Sequence, residues 1–132
     1  MKRRTLETSG APGPVGPYSQ GTAAGGIVFV SGQLGMDPDT GRLEEGVEAQ
    51  ASRALSNIRA VLAAGGLSTS DVVKTTVLLA DMADFPAVNS VYAGFFSQPF
   101  PARAAFAVKA LPLGALVEIE AVAVQAGRQD DA

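Results

Sequence analysis

Residues 116 to 124, LVEIEAVAV, alternate so regularly that they leave the chain few choices of fold. Successive side chains of a strand point to opposite faces, so Val117, Ile119, Ala121 and Ala123 share one face and Glu118, Glu120, Val122 and Val124 the other. The first face is wholly apolar and belongs against a core. The second sets two carboxylates beside two valines, which is too apolar for free solvent and too charged for a dry interior. A sheet built on this strand needs cover on both faces. On the second face that cover is expected to come from other subunits, with polar pockets where they meet.

The rest of the chain offers helices for one face only. From Glu44 to Ala64 the apolar residues Val47, Ala51, Leu55, Ile58 and Leu62 recur at spacings of three and four, which predicts an amphipathic helix stopped by Gly65-Gly66. DVVKTTVLL (71–79) reads as a strand. DMADFPAVNSVYAGFF (81–96) holds a second helix, with Asp84 as a plausible N-cap and Phe85, Val88, Tyr92 and Phe95 on its apolar side. Residues 9 to 26 are dense in Gly and Pro and read as an irregular loop before the short strand IVFVS (27–31), and 36–42 as a turn. The last third predicts a hairpin: one strand at 102–109, the turn LPLGA, and the strand at 116–124. The order β, β, α, β, α, β, β gives an α+β fold, one mixed sheet with two helices packed on one face. One domain is expected over 1–125, with 126–132 a frayed tail.

A chain of 132 residues with 47% hydrophobic and 17% charged residues can bury a core, and its net charge of -3 disfavours non-specific attraction to nucleic acid. It has no Cys and no His, which excludes disulfides, thiolate metal sites, a cysteine nucleophile and the usual neutral-pH base. Proton transfer is left to Glu, Asp, Tyr, Lys, backbone or water. The basic start, MKRRTLE, has no apolar run behind it and no window approaches a membrane span, so a cytoplasmic protein without membrane partners is expected.

One residue is out of place in FPARAAFAV (100–108). Arg103 is a permanent cation in a small, apolar strand, sharing its face with Ala105, Ala107 and Lys109. Either it reaches water and pairs with a surface carboxylate, or it waits for an anion that its planar fork would grip in bidentate fashion. The hairpin would put Glu118 on the strand facing it. Glu118 and Glu120 read either as an interface-lining pair or as carboxylates that orient a water and shuttle its proton. Tyr18 lies in a Pro/Gly loop, Ser31 and Gly32 end a strand where backbone can approach a ligand, and Asn89 is a mediocre helix former inside a helix. Each also has an ordinary reading as an exposed polar position. The Gly pairs at 25–26 and 65–66 lack the frame of a phosphate-binding loop.

Taken in order and with their spacing, APGPVGPYSQ, FVSGQLGMDPDTG, Asn57-Ile58, DVVKTTVLLADMADFPAVNSVYAGFF, FPAR and LPLGALVEIEAVAV resemble the RidA (YjgF) family of reactive-intermediate deaminases over about residues 5 to 125. The resemblance implies a chorismate-mutase-like fold and a homotrimer with a central β-barrel and clefts between subunits. It implies cofactor-free and metal-free hydrolysis of 2-imino acids or their enamines to 2-oxo acids and ammonia, downstream of pyridoxal-phosphate dehydratases. By matching position it implies that Arg103 grips the substrate carboxylate and Glu118 holds the attacking water. Tyr18, Ser31, Gly32 and Asn89 would complete the substrate site. Ala104 and Ala105 stand where the family often has Ser and Cys, and Pro99 where it often has His, so Ala105 is a substrate-site position lacking a thiol. A trimer that only binds 2-oxo acids, and a deaminase for aminomuconate-type substrates, are the alternatives.

Overall fold

Six strands form one sheet in the order β1-β2-β3-β6-β4-β5 in a computed structural model that describes residues 2–125. They are β1 (Arg4–Leu6), β2 (Gly21–Ala24), β3 (Ile27–Leu34), β4 (Val72–Leu79), β5 (Ala102–Ala107) and β6 (Val117–Val124), with helices α1 (Val47–Ala64) and α2 (Phe85–Phe95). The tail expected to fray, 126–132, lies outside the described residues.

β6 takes the centre, between β3 and β4, and buries the face predicted for it: Val117, Ile119, Ala121 and Ala123 are at most 2% exposed. Ala51, Leu55, Ile58 and Leu62 of α1 are fully buried in the same core with Val28 and Val30 of β3. Burying each of these larger aliphatic side chains contributes about 1.5–3 kcal/mol, which is why the pattern at three and four governs α1. The helix ends as a Schellman motif. Gly66, at φ 81, donates to the Ala63 carbonyl, and Leu67 donates to that of Leu62 and is itself buried. Asp84 precedes α2 but makes no side-chain cap. Asp81 instead accepts from the Ala83 amide and caps a short 3₁₀ turn, Met82–Asp84, that leads into the helix.

Two expectations are corrected. The last third is not a hairpin: β5 runs parallel to β4, at the sheet edge, and β4 separates it from β6. The connection from β4 to β5 is α2, long enough to carry the chain back to the same end and force the parallel pairing. With small residues and no fully buried position, β5 suits an edge. The second correction lies in residues 9–26, which are not irregular throughout. Gly25 and Gly26, at φ 60 and 84, make the tight turn that folds β2 back onto β3, and β1 pairs with β2 beyond it. The remaining loop is pinned by Gln20, 4% exposed, whose Nε2 donates to the carbonyls of Thr8, Ala11 and Pro12. No helix of the described residues is long and apolar enough to cross a membrane.

The face of the sheet away from the helices is open in one chain. Ile27, Phe29, Phe106 and Val124 lie on it at 41%, 50%, 47% and 42% exposure, around Glu118 and Glu120. This is the mixed face the sequence foretold.

Candidate functional site

Arg103 is paired in register with Thr75 on β4, and Thr75 points into the helix-covered side. Its side chain crosses onto α2, where Phe85, Asn89 and Tyr92 form one stripe at spacings of four and three. The guanidinium lies 5.2 Å from the Phe85 ring centre and 4.8 Å from that of Tyr92. Its Nη1 donates to Asn89 Oδ1 at 2.7 Å. Among the described residues it has no carboxylate partner, the only ion pairs being those of Arg53 with Asp37 and Glu44. Arg103, Asn89 and Tyr92 line a groove of about 450 Å³ completed by Ala93, Phe100 and Pro101. Asn89 thus has the partner that its place in a helix suggested. Ala105 faces the same side as Arg103 but packs against the core beside Val77.

Glu118 belongs to a second cluster. Opposite β6, the pairing of β3 slips between Val30 and Gln33, so that Ser31 and Gly32 together face Glu120. This is a β-bulge, a device that re-aims side chains beside functional sites. The Glu118 carboxyl rests on Gly32, and a Cβ there would overlap it, so only glycine allows this approach. Ser31 Oγ donates to the Ser19 carbonyl at 2.6 Å and its amide to that of Gln20 at 2.9 Å, which holds the loop carrying Tyr18 beside the bulge. Tyr18 is 49% exposed and lines a groove of about 460 Å³ with Glu7, Thr8, Pro14 and Gln20.

Burial pushes the Glu118 carboxyl above its ordinary value of 4.5, and the like charge of Glu120 adds to the rise. The folded chain therefore binds the Glu118 proton more tightly than the unfolded chain does. Stability from this group is fully present below pH 4.5 and is lost as pH rises through the raised pKa. Replacing Glu118 by Gln should flatten the fall in melting temperature above pH 4.5 and raise it at neutral pH. Thermal denaturation of both forms over a pH series checks this, and parallel curves would contradict it.

The clusters do not meet in one chain. Arg103 lies beside Thr75 and Glu118 beside Leu78, three residues further along β4, so the two point to opposite faces of the sheet. They are also two strands apart, roughly 10 Å. Tyr18, Ser31, Gly32 and Glu118 fall in one region, Arg103 and Asn89 in another. Phe85, Tyr92, Phe100 and Pro101 also surround Arg103, and the sequence reading did not single them out as candidates. The spacing of Phe85, Asn89 and Tyr92 was the signal that could have found the first two. Among the described residues no group of three or more His, Cys, Asp or Glu side chains is placed to hold a metal ion.

The family model for endoribonuclease L-PSP matches residues 8–125. The chain is 51% identical over 124 residues to the 2-iminobutanoate/2-iminopropanoate deaminase of Homo sapiens, covering 93% of this chain and 90% of that one. Against the protein of the same name from Salmonella typhimurium the identity is 45% over 125 residues, with 92% and 98% covered. The crystal structure of RidA from an Antarctic Psychrobacter matches with a TM-score of 0.90 at 48% identity, covering 92% of this chain and 98% of that one. Escherichia coli TdcF with bound serine matches with a TM-score of 0.89 at 42% identity over the same shares.

Proposed function

Because this chain belongs to the RidA (YjgF, endoribonuclease L-PSP) family, we propose that it is a hydrolytic deaminase converting 2-iminobutanoate and 2-iminopropanoate to 2-oxo acids and ammonia. The relatives named for this reaction are aligned over nearly the whole chain, which supports the same chemistry here. Its substrates are small imino acids released by pyridoxal-phosphate dehydratases, and its setting is the cytoplasm.

The observation that carries the reading is Arg103, a cation without a carboxylate partner among the described residues, pre-oriented over two rings at the mouth of a groove. A 2-imino acid brings the missing carboxylate. Two N–H groups of the fork hold it and leave the adjacent imine carbon fixed and electrophilic. Glu118, with its raised affinity for protons, takes one from a water as the water oxygen bonds to that carbon. It returns that proton to the nitrogen, giving a carbinolamine, and then carries the hydroxyl proton to the amino group as the C–N bond breaks, so that ammonia leaves and the 2-oxo acid remains. Gly32 and Ser31 form the wall beside the water, Asn89 steadies the guanidinium, and Tyr18 closes the cleft.

The site is assembled between copies. In a homotrimer the open sheet faces, with Ile27, Phe29, Phe106 and Val124, pack around a central barrel. The Arg103 half of one copy then meets the Glu118 half of the next. Separation of the halves onto opposite faces of one sheet supports this arrangement, because no side-chain movement within one chain would unite them.

The test is direct. Added to a threonine dehydratase and threonine, the protein should speed release of 2-oxobutanoate above the spontaneous rate. An unchanged rate with 2-oxobutanoate still bound would make the cleft a sensor rather than an enzyme.

A further inference from the structure

Tyr92 and Thr75 are buried hydroxyls, 5% and 1% exposed, where the fold requires only a ring and a branched side chain. The other buried residues of β4 are Val72, Val77 and Leu79, and Phe85 puts a plain ring under the same guanidinium. Burying two hydroxyls is costly unless they bond, and these share a hydrogen bond of 2.7 Å. Both touch on Arg103: Thr75 is its register partner on β4, and the guanidinium sits 4.8 Å from the Tyr92 ring centre.

We propose that the Thr75–Tyr92 hydroxyl pair is a positioning device that fixes the ring on which Arg103 rests, and so sets the aim of its fork for a ligand carboxylate. Without the bond the ring still fills the core, but its tilt and height under the guanidinium are free to relax. With it, β4, whose Thr75 is paired in register with Arg103 on β5, is locked to the helix that cradles the guanidinium. Tyr92 keeps its proton at neutral pH, since burial raises its pKa against the opposing effects of Thr75 and Arg103, and the bond therefore persists there. The inference rests on the reading of Arg103 as carboxylate anchor.

The test is the double variant Thr75→Val with Tyr92→Phe, which removes both hydroxyls and leaves neither orphaned, so that it folds with a melting temperature close to the parent's. Calorimetric titration with 2-oxobutanoate should show Kd raised about three- to tenfold, the scale of a weakened cation–π and carboxylate contact, with KM rising alongside and kcat within about twofold. Tyr92→Phe alone should raise Kd in the same direction, and Thr75→Ser, which keeps the hydroxyl, should restore the parent value. A double variant that folds and binds 2-oxobutanoate as the parent does would overturn the proposal and leave the pair to the core. Failure of the parent itself to bind 2-oxobutanoate would instead overturn the anchoring role of Arg103, and the inference with it.

Discussion

Replacing Arg103 by alanine should lower kcat/KM for 2-iminobutanoate by about 30- to 1,000-fold, the equivalent of roughly 2–4 kcal/mol for losing one partner of a desolvated, charged hydrogen-bonded pair. The chain should still fold. Arg103 lies on an edge strand and is exposed in one chain, so its contribution there is limited to two ring contacts and one hydrogen bond to Asn89. Lysine should rescue little. Its ammonium restores the charge but not the planar fork that presents two parallel donors, and it stacks less well on Phe85 and Tyr92. Steady-state kinetics on the three forms, with circular dichroism for the fold, decides this. Wild-type kcat/KM in the alanine variant would remove Arg103 from the site.

The second large effect is expected at Glu118. Alanine there should cut kcat by about 10²- to 10⁴-fold, the usual worth of a positioned general base, with a smaller change in KM. The split matters because Arg103 still binds the carboxylate when the proton carrier is gone. Glu120 shares the face but is exposed and does not rest on Gly32, so it cannot take over the same water.

Much of this was legible before any coordinates. The two faces of β6 and the apolar sides of α1 and α2 follow from local periods, and a period survives whatever the rest of the chain does. Arg103, Glu118, Ser31, Gly32, Tyr18 and Asn89 stand out for the same local reasons, as polar groups or glycine where composition does not require them. Pairing is different. The alternation in β5 is satisfied equally by an antiparallel neighbour and a parallel one, so the sequence permitted a hairpin that α2 rules out by carrying the chain across. β2 was hidden because GTAA carries little β signal, and only the Gly25-Gly26 turn ahead of IVFV marks it. Tyr92 read as core, which it is. Its second role depends on where α2 lies over the sheet edge, and no local pattern encodes that.

The parallel pairing of β5 with β4 also separates Arg103 from Glu118. A hairpin would have set Arg103 and Glu118 side by side in one chain. With β4 between them they face opposite sides of the sheet, and a shared cleft requires two copies. That is the central claim, and mixing subunits tests it most directly. Arg103→Ala and Glu118→Ala proteins, each nearly inactive alone, are unfolded together in equal amounts, refolded and assayed. If each site joins Arg103 of one copy to Glu118 of the next, random assembly into a closed ring restores about a quarter of wild-type activity, the fraction of interfaces with both residues intact. Activity no higher than that of the separate variants would contradict a site shared between copies.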